Sequence, residues 1–218
     1  NPVVSAVWEG TIEPGQEWSQ SFDPGQFTDV SSTVLEVSAL PAINLSRHLE
    51  YLIQYPHGCV EQTTSAAFPQ LYVDLLTPLS EKQKKEITRN VTAAIEKFRN
   101  FQQTGGGFSY WPGGSDLNDW SSTYVGHFLL EAKNKGYAIP ANMLEKWVGY
   151  QTLASNRWSG SGGQNYYHDD LTQAYRLYTL ALAGKPDLAG MNRLREKKDM
   201  YSQCGYLLAA AYAQSGKP

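Results

Sequence analysis

Residues 80–114 begin Ser80-Glu81-Lys82-Gln83 and continue with Ile87, Val91, Ile95, Phe98 and Phe101 at intervals of three and four. They close on Gly105-Gly106-Gly107-Phe108-Ser109-Tyr110-Trp111-Pro112-Gly113-Gly114. The opening tetrapeptide is a capping box, in which Ser and Gln side chains satisfy the free amides of a helix start. The intervals put the apolar residues on one stripe, so this is an amphipathic helix followed by a glycine and aromatic loop.

The same unit recurs on both sides. Toward the C-terminus, Ser121 or Ser122 is read as opening a helix that ends at Gly136, and Pro140 as starting one that runs to about Ala154. A second Gly/Ser loop, Ser159 to Gly163, precedes a helix from Asp169 to Ala183. Asp187 caps a short helix to Arg195, and a last helix spans Asp199 to Gln214. Toward the N-terminus, a helix starting near Cys59 is expected to reach Leu76 with a bend at Pro69. Before it, Asn44 caps a helix with Leu45, Leu49, Leu52 and Ile53 on its apolar face, stopped at Tyr55-Pro56. Helices end in Gly-Lys-Pro at both Gly184 and Gly216. About eight helices in repeating helix-loop-helix units predict a mainly α chain: a stacked or circular array over residues 41–218, with a ring left incomplete.

Residues 1–40 follow a different pattern. Ser5 to Glu9, Glu17 to Phe22 and Thr33 to Ala39 read as short strands. They are separated by the turns Glu13-Pro14-Gly15-Gln16 and Asp23-Pro24-Gly25-Gln26, where Pro presets the second position and Gly accepts positive φ at the third. Two or three strands are marginal alone, so this piece is expected to complete a β-sandwich. The start at Asn1 and the stop after Gly216-Lys217-Pro218 read as a segment cut from a longer protein.

At 218 residues, with 41% hydrophobic and 18% charged residues, the chain can bury a sizeable core. A net charge of -3 with scattered basic residues gives no footprint for nucleic acid. No spacing of Cys and His predicts a metal, and no cofactor is expected. Only two cysteines are present, Cys59 and Cys204. Cys204, among Tyr201, Leu207 and Leu208, reads as a small core residue unpaired with Cys59.

Cys59 and Gln62 stand at i and i+3 at a helix start, which puts both side chains on one face. A helix N-terminus favours a thiolate, and the thiolate is the nucleophile. Its attack on the Gln62 amide, with loss of ammonia, leaves a Cys-Gln thioester. That acyl group persists only where water is excluded, and Tyr55, Phe68 or the Tyr110-Trp111 pair are candidates to cover it. From spacing alone, a small buried Cys and an exposed Gln are the commoner reading.

The surroundings change that balance. Leu52-Ile53-Gln54-Tyr55-Pro56-His57-Gly58-Cys59-Val60-Glu61-Gln62-Thr63-Thr64-Ser65 resembles the thioester segment of bacterial α2-macroglobulins, Tyr-Pro-aromatic-Gly-Cys-x-Glu-Gln-Thr-Thr. His57 stands where the family has an aromatic, so shielding differs in detail there. The resemblance extends through Gly106 to Trp111, Ser122-Thr123-Tyr124 and Gln173-Ala174-Tyr175-Arg176-Leu177-Tyr178, most of residues 40–218. It implies an α/α toroid thioester domain (residues 41–218) with residues 1–40 from a flanking small β domain. It also implies a protease trap: cleavage of a bait region elsewhere exposes the thioester, and a protease lysine takes the Gln62 acyl group while Cys59 leaves as thiolate. That is one event per molecule, a suicide inhibitor and not an enzyme. Its partners are proteases and the other domains of the longer chain, in the periplasm or cell envelope, with membrane anchoring only through parts absent here.

Other residues fit blander roles. Complement relatives use a histidine before a comparable helix as an acyl carrier, which makes His168 a candidate acyl-transfer partner against a helix-entry contact. His57 is too near Cys59 for a protease dyad. His127 reads as packing. Two enzyme readings on an α/α scaffold stay open. A terpene cyclase is favoured by Gln103 to Phe108 and the 14 Tyr and 6 Trp but lacks an aspartate-rich motif. A glycoside hydrolase would draw on Asp116, Asp119, Asp169 and Asp170 without a spacing that singles out a pair. An interaction module without a live thioester is the third.

Overall fold

The computed structural model describes residues 51–160 and 166–216, residues 10–21, and the single positions Ala6, Trp8, Val37 and Leu49. At Tyr166, Tyr167 and His168 only the backbone is described. The chain divides into two units, Asn1–Asn44 and Leu45–Pro218.

In the first unit the predicted turn is present: the Gln16 amide donates to the Glu13 carbonyl at 2.9 Å, and Gly15 takes φ 85°. Among the described residues no strand forms around it, and Glu17 to Ser21 are irregular and exposed. The Asp23 to Gln26 turn and nearly all of the two other predicted strands lie outside the described residues.

The second unit is helical. Seven described helices follow one another: α1 (Val60–Ala67), α2 (Glu81–Phe98), α3 (Asp119–Asn134), α4 (Met143–Arg157), α5 (Tyr166–Leu182), α6 (Leu188–Arg195) and α7 (Ser202–Gln214). The helix predicted from Asn44 lies outside the described residues except for Leu49 and its last turn. The helix expected from Cys59 to Leu76 is shorter. It ends at Ala67, and the chain continues as two 3₁₀ turns, Pro69–Leu71 and Val73–Leu75. Pro69 has no N–H to extend the ladder, so the next bonds close one residue tighter, Leu71 to Phe68 and Tyr72 to Pro69. α3 starts two residues before Ser121, because Asn118 is the cap and its Oδ1 accepts the Ser121 amide at 2.8 Å. α4 begins at Met143 and not Pro140, whose carbonyl accepts the Met143 amide in a preceding turn. The Ser80 box forms as predicted: Ser80 N–H donates to Gln83 Oε1 at 2.9 Å and Gln83 N–H to Ser80 Oγ at 3.3 Å.

The order of packing makes the architecture. α1 lies against α2 and α3, α3 against α4 and α5, α5 against α4, α6 and α7, and α6 against α7. The odd-numbered helices are therefore consecutive neighbours in one layer, and the even-numbered helices back them in a second. This is the helix-pair layering of an α/α toroid. One buried cluster joins the predicted α2 stripe (Ile87, Val91, Ile95, Phe98) to Phe101, Phe108, Phe128 and Trp147. Trp147 can lie flat on α3 because Gly126 has no side chain: a Cβ there would sit 1.9 Å from the indole. The indole N–H then donates to the Ser122 carbonyl at 2.7 Å. A second cluster, between α5, α6 and α7, contains Leu177, Met191, Leu194, Leu208 and Cys204. Cys204 is fully buried and free, and burial pushes its thiol up.

Candidate functional site at the start of helix α1

Two side chains, Gln70 and Lys97, tether the segment that enters α1. The buried Gln70 amide donates to the Gln54 carbonyl at 2.8 Å and to Ala66 at 2.7 Å, and its oxygen accepts from buried Asn90 at 3.1 Å. The Lys97 ammonium donates to the Pro56 carbonyl at 2.6 Å and sits 4.6 Å above the Tyr55 ring. Gly58 then turns the chain at φ 91°. Cys59 is the N-cap in extended conformation, 3% exposed, and Gln62 is the third helical residue and exposed.

The Gln62 side chain folds back over this start. Its Oε1 accepts the Cys59 amide at 3.0 Å. It occupies the space a side chain at position 58 would need: a Cβ there would lie 2.1 Å from Oε1 and 3.0 Å from Cδ. Glycine at 58 is thus required twice, by backbone angle and by the Gln62 carboxamide. The bond from Cys59 N–H also polarises the carbonyl that the neighbouring sulfur would attack.

Two further elements converge on the same turn. The loop after α2 presents Tyr110, whose carbonyl accepts the Val60 amide at 3.0 Å. The neighbouring Cys59 thiol and the charge of Glu61 hold its phenol above the usual pKa. Trp111 packs edge-on against Tyr110 at 5.8 Å. From α3, Ser121 Oγ donates to Glu61 Oε1 at 2.8 Å.

The predicted cover residues separate into two groups. Tyr110 and Trp111 are beside Cys59. Tyr55 and His57 lie just before it and are exposed, Tyr55 at 47% and Trp111 at 57%. Phe68 is at the opposite end of α1, about 13 Å of helix rise away. It packs there on His127 at 5.0 Å and on Tyr124 and Phe128 at 5.7 Å. His127 is a packing residue as expected: its Nδ1 is 2.8 Å from the Tyr175 hydroxyl, and burial lowers its pKa against the opposing effect of Glu131. His168 is in the first turn of α5, and its side chain lies outside the described residues. Of the carboxylates weighed for glycoside hydrolysis, Asp170 is ion-paired with Lys197 at 2.6 Å, and Asp119 is paired with Arg176 at 3.2 Å and accepts from Tyr150.

Sequence reasoning passed over Lys97, Gln70, Asn90 and Ser121. Glu61 stood inside the quoted motif, but nothing in the local sequence says that Ser121, sixty residues on, meets it. It also passed over a buried clasp centred on Arg176. Nε donates to Gln151 at 2.8 Å and Nη1 to Gln173 at 2.7 Å. Gln151 passes the chain to Thr123, and Gln173 passes it to Ser155 and Asp187.

A two-layer helical domain with Gly-Cys-Val-Glu-Gln at a helix start, its Gln curled back on its Cys, is the class these elements define. Residues 28–162, more than half the chain, match the A-macroglobulin TED domain family, and the chain belongs to that family. It is 32% identical over 187 residues to the alpha-2-macroglobulin of Xylella fastidiosa, covering 79% of this chain and 11% of that one. Native alpha-2-macroglobulin from Escherichia coli, in a structure from domain MG7 to the C-terminus, superposes with a TM-score of 0.68 at 25% identity, over 81% of this chain and 29% of that one. Salmonella alpha-2-macroglobulin reacted with methylamine gives a TM-score of 0.68 at 25% identity over 81% of this chain and 12% of its own. The chain spans about a tenth of the length of the curated relatives it matches.

Proposed function

We propose that this domain carries the acyl-transfer centre of a bacterial α2-macroglobulin, a protease trap that works once through a thioester between Cys59 and Gln62. The observation that carries the reading is the fold of Gln62 onto the Cys59 amide at 3.0 Å, beside a sulfur that is 3% exposed. In ring formation the Cys59 thiolate adds to Gln62 Cδ, the C–N bond breaks, and ammonia leaves. In trapping, a lysine amine of a protease adds to the same carbon, the C–S bond breaks, and Cys59 leaves as thiolate. Cys59 is the leaving group and Gln62 the acyl donor. No turnover follows, so the protein is an inhibitor and not an enzyme. The exposed aromatics Tyr55, Tyr110 and Trp111 are a partial cover, which other domains of the longer protein complete. Its setting on this reading is the bacterial periplasm or cell envelope. Among the described residues no helix is long and apolar enough to cross a membrane.

Methylamine is small enough to pass such a cover, and the Salmonella relative has been captured after reaction with it. Freshly purified full-length protein is expected to be lighter by one ammonia than its sequence, to take up one methylamine at Gln62, and to release one thiol at Cys59. Full sequence mass with neither uptake nor release removes the proposal.

A further inference from the structure

We propose that Lys97 is a positioning residue of the acyl-transfer centre: its ammonium pins the chain leading into Gly58 and Cys59, which keeps Gln62 folded on Cys59 and water away from the sulfur. The inference rests on the thioester reading and adds to it a residue from α2.

The sequence leaves Lys97 without an acidic partner on its own helix. Lys84, Arg89 and Arg99 each pair with a glutamate three residues earlier, at 2.8, 3.8 and 2.8 Å. Three and four residues before Lys97 stand Ala94 and Ala93. Its ammonium instead crosses to a segment 41 residues away, donating to the Pro56 carbonyl at 2.6 Å and lying 4.6 Å from the centre of the Tyr55 ring. A cation that only answered the helix dipole could stay in water beside the last carbonyls of α2. Ordering a lysine side chain costs entropy, and here two contacts on consecutive residues offset it.

The pinned stretch has little else to fix it. Among the described residues, no other hydrogen bond reaches the backbone of Tyr55, Pro56, His57 or Gly58. Pro56 is buried between exposed Tyr55 and His57. The tether falls two residues before Gly58, whose φ of 91° and missing side chain make room for the Gln62 carboxamide. Asn90, about two turns earlier on α2, donates to Gln70, which in turn holds Gln54. Helix α2 thus holds the entry to α1 at two points, indirectly through Asn90 and directly through Lys97. Only the direct one acts beyond Gln54, next to the reacting pair.

The test is Lys97→Met in the full-length protein, which keeps an apolar stem and removes the donor and the charge. Arg99→Met is the control, because it removes a cation from the same helix end, one bound to Glu96. Circular dichroism confirms that each variant is folded. Thiol release in the absence of amine reads hydrolysis: water adds to Gln62 Cδ, the C–S bond breaks, and the proton ends on the Cys59 sulfur. Lys97→Met is expected to speed this release by about tenfold, the effect of losing one charge-assisted hydrogen bond. Arg99→Met should match wild type, and Lys97→Arg, which keeps a cation and donors, should recover most of the wild-type rate. A wild-type rate in Lys97→Met, an equal rise in Arg99→Met, or no recovery in Lys97→Arg overturns the proposal. Wild-type protein at full sequence mass that takes up no amine removes the thioester reading instead. Iodoacetamide alkylation of Cys59, followed by peptide mass, then decides the role of Lys97. Faster alkylation in Lys97→Met than in wild type and Arg99→Met supports the pin, and equal rates overturn it.

Discussion

The start of α1 and the Arg176 clasp are both polar clusters, built on opposite principles. At α1 the partners are mostly backbone groups: the Cys59 and Val60 amides and the carbonyls of Gln54, Pro56 and Tyr110. Gln62, the group that would react, is exposed. In the clasp the partners are side chains from α3, α4, α5 and α6, and Gln151, Ser155 and Gln173 are fully buried. A backbone-built site can place atoms while contributing little core. A side-chain clasp fixes helices but offers nothing to a substrate. The two meet in α3, whose first turn sends Asp119 to Arg176 and Ser121 to Glu61.

If that division holds, damage to each region should show in a different measurement. The largest stability effect belongs to Arg176→Met, which orphans the Gln151 and Gln173 oxygens. Urea unfolding should show a loss of about 3 kcal/mol, with Asp119, half exposed, rescued by solvent. Amine uptake per folded molecule should stay the same, and a proportional fall would break the comparison. Gly58→Ala should cost less stability, about 1–2 kcal/mol, because a Cβ there collides with the Gln62 carboxamide. Its main effect should be on chemistry, with amine uptake at least tenfold down.

Ser121→Ala sharpens the boundary, since it removes only the tie between α3 and Glu61. A loss of about 1 kcal/mol is expected; a loss as large as that of Arg176→Met would mean the two clusters are one network. The smallest effect concerns His127, which is held neutral by burial. Below its ordinary pKa of about 6.5 the unfolded chain takes a proton that the folded chain refuses. Stability is therefore full above that pH and falls as pH drops toward the lowered folded value. His127→Gln should show a shallower decline than wild type in urea midpoints at about pH 7.5 and pH 5.5.

The helices were legible because their signals are local. Ser80 and Gln83, the stripe from Ile87 to Phe98, and Asp187 ahead of α6 each act within a turn or two. The start of α3 was misplaced by a competing cap, since the Asn118 side chain reaches the Ser121 amide, and that of α4 because Pro140 opens a separate turn before the helix. Cys59 and Gln62 were legible for the same reason, three residues apart on one helix face. Phe68 was a candidate cover because it is near in sequence, but a helix carries it away from Cys59 at each step. Arg176, Asp119 and Ser121 were illegible as partners, because only the stacking of α1, α3 and α5 brings them together.

The bond from Cys59 N–H to Gln62 Oε1 has a consequence for the order of states on the proposed cycle. An amide, a thioester and a carboxylic acid at position 62 all keep a carbonyl oxygen there, so the helix cap need not be rebuilt as the chemistry proceeds. The energies of those states still differ. Water in place of an amine would leave a carboxylate in the first turn of α1, where free amides and the helix dipole favour negative charge by about 0.3–1 kcal/mol. The hydrolysed centre alone gains this hold, whereas one discharged by an amine keeps a neutral amide and the same cap as before.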